Sequence, residues 1–120
     1  METILCVDDD PTQLMLLRLA LTRAGYKVIE ALDGREGVEM AIEHQPALII
    51  MDLMMPVMDG AVAVQQIKQH EKTQHIPVLV LSAYARGEQA KRALQAGADE
   101  MISKTFILTD LVDKIKGYFK

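Results

Sequence analysis

Five short apolar runs alternate with five helix-length segments along this chain of 120 residues, and that rhythm leaves few folds open. The runs lie near 3–8, 27–32, 47–52, 77–82 and 99–103, and the helical segments near 11–24, 34–45, 60–71, 86–96 and 107–119. Strand–helix units repeated in this way build a parallel sheet with helices on both faces. The runs 47–52 and 77–82 are apolar almost without a break, which suits central strands covered on both sides. Gly25 and Gly97 each follow a helical pattern where a left-handed cap belongs, and Pro11 suits a first helical turn. Leu108, Leu111, Val112, Ile115 and Phe119 form one stripe at helical spacing in the fifth helix. In the first helix Leu17, Leu21 and Ala24 share a stripe, while Met15 and Leu19 point away from it. The length and the half-apolar composition fit one globular domain over residues 1–120.

The ends of the strands carry the chemistry. Asp8, Asp9 and Asp10 close the first run, Asp52 closes the third, Ser82 closes the fourth, and Lys104 follows the fifth. A carboxylate at the end of a buried strand is costly unless it meets a partner, a metal or a proton. In a doubly wound sheet of flavodoxin-like order 2-1-3-4-5, strands one and three are neighbours and the crevice opens at their carboxyl ends. That topology gathers Asp8, Asp9, Asp10 and Asp52 around one opening, with Ser82 and Lys104 beside it. Clustered carboxylates repel one another and favour a hard divalent cation with oxygen ligands, Mg²⁺ first among them. Acids, hydroxyl and lysine together suit Mg²⁺-assisted phosphoryl transfer. Each residue has a plainer reading as well: Asp10 before Pro11 is a natural helix cap, and a strand-end serine is often a turn residue. Gly34, Gly60 and Gly87 read as turn or helix-start glycines, and no phosphate-binding glycine loop is present.

Bulk properties exclude other classes. A net charge of −4 argues against direct nucleic-acid binding. The single Cys6 rules out a disulfide framework and points to a reducing, cytoplasmic setting. No apolar stretch reaches a membrane span, and no signal peptide opens the sequence. His44, His70 and His75 lack metal-ligand spacing and read as surface residues.

With these residues in order, the chain resembles the receiver domain of two-component response regulators. Met51-Asp52-Leu53-Met54-Met55-Pro56-Val57-Met58-Asp59-Gly60 looks like the family's phosphoacceptor segment. Val7-Asp8-Asp9-Asp10 looks like its acidic pair, and Gln95-Ala96-Gly97-Ala98-Asp99 like the approach to its fifth strand. The resemblance implies that Asp52 accepts a phosphoryl group from a sensor histidine kinase or a histidine phosphotransfer protein. It implies Mg²⁺ held by Asp8, Asp9, Asp52 and the backbone carbonyl of Met54. It gives Ser82 and Lys104 to the phosphoryl oxygens. The domain is then a phosphoacceptor that assists its own phosphorylation and dephosphorylation, not an enzyme with a separate substrate. It signals by changing its binding to a downstream protein, and the resemblance also admits a homodimer formed on phosphorylation. No output domain is read in these 120 residues.

Two positions depart from the family pattern. Thr105 follows Lys104 where receivers usually have proline, so the bond is expected to be trans. Met101 stands where they often carry an aromatic residue, so the switch is expected to be a modest repacking by a flexible side chain. Met54 and Tyr84 border the path of a hydrolytic water in the family and orient it poorly here, which predicts a long-lived acyl phosphate. A rival stays open at the level of residues: Asp8-Asp9-Asp10-Pro11-Thr12 also resembles the D-x-D-x-T motif of haloacid-dehalogenase-type phosphatases. There Asp8 would be the nucleophile, and the segment from Met51 to Gly60 would have no role. A receiver that keeps the fold without phosphorylation is the other alternative, which the presence of every acid, Ser82 and Lys104 counts against.

Overall fold

The computed structural model describes residues 1–53, 55, 57–82, 87–104 and 108–119. Among these residues five strands and five helices alternate: β1 (Thr3–Val7), α1 (Pro11–Arg23), β2 (Lys27–Ala31), α2 (Gly34–His44), β3 (Leu48–Asp52), α3 (Gly60–Gln69), β4 (Val78–Ser82), α4 (Glu88–Gln95), β5 (Glu100–Ser103) and α5 (Leu108–Gly117). The strands form one parallel sheet in the order β2-β1-β3-β4-β5. This is the order that the strand–helix rhythm and the strand-end chemistry led us to expect.

β3 and β4 are buried at every position, which is why their sequences read as unbroken apolar runs. Alternate residues feed two cores. Leu5, Val7, Ile49, Met51 and Val80 pack with Val38 of α2, Val64 and Ile67 of α3 and Ala93 of α4. On the other face Ile4, Cys6, Ile50 and Leu81 pack with Leu14, Leu17 and Leu21 of α1 and Leu111 and Ile115 of α5. The fifth-helix stripe therefore lies in the core, with Leu108, Val112 and Phe119 at its margin.

Local signals set most of the ends. Asp10 caps α1 by accepting from the Thr12 N–H at 2.9 Å, and Asp33 and Asp59 cap α2 and α3 in the same way. Gly25 and Gly97 take φ of 98° and 113°, where a side chain would be strained. Several ends fall one or two residues from the expected ones, α5 for example ending at Gly117 instead of 119, and two differences have a clear physical cause. The buried stripe of α1 is Leu14, Leu17 and Leu21, and Ala24 is only half-buried because it is the C-cap of the helix. α3 stops at Gln69, two residues before the expected Glu71, because His70 turns to an extended conformation. The buried Thr73 hydroxyl then donates at 2.6 Å to the Ile67 carbonyl, which otherwise accepts only a long 3.4 Å bond from the His70 N–H among the described residues.

Candidate functional site

β1 and β3 run side by side with Val7 paired to Met51, so Asp8 and Asp52 emerge together at the carboxyl edge of the sheet. Asp52 is 2% exposed and Asp8 is 1% exposed, while Asp9 faces solvent. One carboxylate oxygen from each of the three lies within 4.8 Å of the others. Asp10 stands outside the cluster and serves as the α1 cap.

One oxygen of each buried acid has a fixed partner, a backbone N–H for Asp8 and a lysine ammonium for Asp52. Asp8 Oδ1 accepts from the Asp10 N–H at 3.0 Å, which turns Oδ2 toward the cleft. Asp52 Oδ1 forms an ion pair with Lys104 Nζ at 2.7 Å. Asp8 Oδ2 and Asp52 Oδ2 have no hydrogen-bond partner among the described residues. Burial, together with the charges of Asp52 and Asp9, pushes the Asp8 carboxyl up to about 6, against the opposing pull of the Asp10 N–H and Lys104. Burial works against the Lys104 ammonium, but Asp52, Asp8 and Asp9 outweigh it and raise its pKa. Two desolvated carboxylates with open oxygens, beside a third that reaches solvent, are a hard-oxygen donor set. They fit a small divalent cation such as Mg²⁺.

Neighbouring strands aim the rest. The Lys104 N–H donates to the Ser82 carbonyl at 2.8 Å, tying the end of β5 to the end of β4 beside Asp52. The Leu53 N–H donates to the Leu81 carbonyl at 3.1 Å and holds β3 in the same register beyond its last paired residue. Behind the acid, a Cβ on Gly60 would lie 2.5 Å from the Asp52 carbonyl oxygen and 2.7 Å from Leu53 Cα. Glycine is thus required where α3 starts against the strand end, a packing role beyond the helix start that the sequence suggests. Asp59 escaped the sequence reading: besides capping α3 it lies 3.7 Å from Arg92 of α4. Its place in the Met51–Gly60 segment was the signal. Met101 pairs with Val80 and is half-buried against the core that α2, α3 and α4 cover. Met54, Tyr84 and Thr105, with the Lys104–Thr105 bond, lie outside the described residues.

The sequence profile of the response regulator receiver domain matches residues 4–116. This chain belongs to that family. Among relatives, the receiver is 35% identical over 120 residues to the DNA-binding dual master transcriptional regulator RpaA of Synechocystis, covering all of this chain and 50% of RpaA. It is 31% identical over 117 residues to the polar-differentiation response regulator DivK of Brucella ovis, covering 98% of this chain and 95% of DivK. The chain thus spans half the length of the first relative and nearly all of the second. A solved receiver domain of the sensor histidine kinase PA1611 from Pseudomonas aeruginosa, with magnesium coordinated in its active-site cleft, superposes with a TM-score of 0.91. The two are 29% identical, over 98% of this chain and 96% of that one. No helix among the described residues is long and apolar enough to cross a membrane.

Proposed function

We propose that this receiver takes a phosphoryl group on Asp52 from a histidine kinase or histidine phosphotransfer protein, in a Mg²⁺-dependent reaction in the cytoplasm. The observation that carries the reading is Asp52 itself: a carboxylate 2% exposed, one oxygen on Lys104, the other without a donor among the described residues. A buried carboxylate left half-satisfied beside two more acids is poor structure and good chemistry.

An Asp52 carboxylate oxygen attacks the phosphorus of the donor's phosphohistidine. An O–P bond forms, the P–N bond breaks, and the leaving imidazole takes up a proton. Asp8, Asp9 and Asp52 would hold the cation, and the resemblance adds the Met54 carbonyl. When bound, Mg²⁺ supplies charge neutralisation to the phosphoryl oxygens. Lys104, fixed to the end of β4 through its own N–H, holds Asp52 before transfer and neutralises a phosphoryl oxygen after it. Ser82, one residue past the Leu81 that pairs with Asp52, offers its hydroxyl to another oxygen. Movement of Ser82 toward the phosphoryl group is passed to Met101, whose flexible side chain repacks under α4 and changes the affinity for a downstream protein.

The test is incubation with acetyl phosphate and Mg²⁺, followed by intact mass and peptide mapping. One phosphoryl group appears on the wild type, and none appears on Asp52→Asn or in EDTA. Phosphate found on Asp8 instead would establish the haloacid-dehalogenase reading and overturn this one.

A further inference from the structure

Between β3 and α3 the chain turns in a shape that its sequence does not favour. Val57 sits in the left-handed region at a φ of 69°. For a β-branched residue that conformation is a costly outlier. Val57 is 77% exposed, so packing of its own side chain does not hold it there. A strained backbone persists only where its surroundings leave no alternative, and such places gather at functional sites. This turn follows directly on Asp52.

The surroundings supply that constraint at three points. At the base, the Gly60 N–H donates to the Leu53 carbonyl at 2.9 Å, which closes the turn on the end of the strand. From the turn, Met55 and Met58 pack against the core that α2 and α3 cover. At the side, α2 begins against Met58, the residue after Val57. A Cβ on Gly34 would overlap the Met58 carbonyl oxygen, and it would lie 3.1 Å from the carbonyl carbon and 3.2 Å from Met58 Cβ. The start of α2 is itself held firmly. Asp33 accepts from the Glu36 N–H at 2.8 Å, Glu36 Oε1 accepts from the Leu32 N–H at 2.7 Å, and these two bonds fix the entry to the helix. One turn on, a Cβ on Gly37 would lie 2.9 Å from Val7 Cγ2, so α2 is also seated closely on β1.

We propose that Gly34 is a positioning residue for the phosphoacceptor site: lacking a side chain, it lets the start of α2 seat on Met58 and hold the turn after Asp52 in the shape that strains Val57. Gly60 passes that shape to the strand end, because it lies against the Asp52 carbonyl oxygen with no room for a Cβ. The same stretch of sequence contains Met54, whose carbonyl the resemblance gives to the cation. Gly34→Ala pushes Met58 aside. Val57 then relaxes out of the left-handed region, and Asp52 shifts against Asp8 and Asp9, which spoils the donor set for a cation. In the first turn of a helix Gly→Ala is ordinarily neutral or stabilising, so the loss comes from the contact with Met58. The inference rests on the phosphoacceptor reading for what the turn serves, and on Gly34 and Val57 alone for how it is held.

A double-mutant cycle in melting temperature tests how the turn is held. It is run in EDTA with no phosphodonor, so its result does not depend on whether Asp52 accepts a phosphoryl group. Val57→Gly raises the melting temperature of the wild type by about 3 °C. In the Gly34→Ala background, where Val57 has already relaxed, the same change gives no rise. Calorimetric titration with Mg²⁺ tests what the turn serves. Gly34→Ala weakens binding about tenfold. Val38→Ala, which thins the core under the same helix, lowers the melting temperature and leaves Mg²⁺ affinity unchanged. Val57→Gly keeps Gly34 in place and remains measurable even if Gly34→Ala does not fold: a melting temperature that fails to rise overturns the proposal. So does an equal rise in both backgrounds, an Mg²⁺ affinity unmoved by Gly34→Ala, or one weakened as much by Val38→Ala.

Discussion

Asp52 and Asp99 are both aspartates at a sheet edge that meet a lysine, Asp52 with Lys104 at 2.7 Å and Asp99 with Lys68 at 2.9 Å. Their surroundings differ in kind. At the amino edge, Asp99 Oδ2 also accepts from the Val78 N–H at 2.8 Å, and Lys68 Nζ also donates to the Ile76 carbonyl at 2.7 Å. The Asp99 N–H donates in turn to the Val78 carbonyl, closing the arrangement. At the carboxyl edge, Asp52 keeps an oxygen without a donor among the described residues and faces two further carboxylates. The first arrangement is complete and fastens α3 to the start of β4 and β5. The second is incomplete, because its acids lack the positive charge that a bound cation would supply. An aspartate–lysine pair at a sheet edge therefore does not mark a site by itself; Asp99 is exposed and fully partnered, whereas Asp52 is buried and left short of partners.

This contrast predicts opposite signs for equivalent mutations. Asp99→Ala should cost about 2 kcal/mol in urea unfolding, because it strands the Val78 N–H and the half-buried Lys68 ammonium. Addition of Mg²⁺ at about ten times its dissociation constant should stabilise the wild type by about 1.4 kcal/mol, since the folded cluster alone binds it. Asp9→Ala should abolish that gain without touching the Asp99 network, and an unchanged response would remove Asp9 from the ligand set. Asp8→Asn should go the other way and stabilise the Mg²⁺-free protein at pH 7.5, by on the order of 1 kcal/mol. The Asp8 carboxyl is raised from an ordinary 3.8 to about 6 in the fold, so the native state favours its proton. Its stabilising contribution is complete below 3.8 and is lost as pH rises through about 6. The advantage of Asp8→Asn should accordingly shrink as the pH is lowered through that window. If Asp99→Ala and Asp8→Asn shift stability in the same direction at pH 7.5, the two edges are not different after all.

The two edges were also unequally visible in the sequence. Asp8, Asp52, Ser82 and Lys104 stand out because each interrupts or follows an apolar run, and a parallel sheet brings the ends of its runs to one edge. Period and strand-end chemistry thus reach the strands, their order and the acid cluster. They do not reach the Asp99–Lys68 pair, whose partners lie 31 residues apart on a helix and a loop with no pattern joining them. They do not show that Asp8 and Asp52 are buried while Asp9 is exposed, since the orientation of each acid is set by the Asp10 N–H and Lys104. The early end of α3 was hidden for a similar reason. It depends on Thr73 reaching back to the Ile67 carbonyl, a contact across a turn rather than along a helix.

A third charged cluster sharpens the contrast at its smallest scale. Glu100, at the start of β5, accepts from Lys114 Nζ at 2.5 Å and from the Tyr118 hydroxyl at 2.7 Å. These two donors, one turn apart on α5 and its extension, hold the Glu100 carboxyl below its usual range, while burial and the Glu100 acceptor raise the Tyr118 phenol. The cluster is complete like that of Asp99, and solvent reaches both carboxylates, but Lys114 is exposed where Lys68 is largely covered, so the Glu100 cluster is the more screened. Tyr118→Phe removes one donor and keeps the ring, and it should cost only a few tenths of a kcal/mol at pH 7. Because the folded Glu100 is the stronger acid, its contribution is present above its ordinary pKa of 4.5 and is lost as the pH falls through the lower folded value. The difference between wild type and Tyr118→Phe, followed by thermal melting, should therefore be constant from pH 7 down to about 5 and close below that. The Asp8→Asn difference fades across a higher window and has the opposite sign. A Tyr118→Phe difference that instead grew on acidification would mean that the hydroxyl serves something other than Glu100.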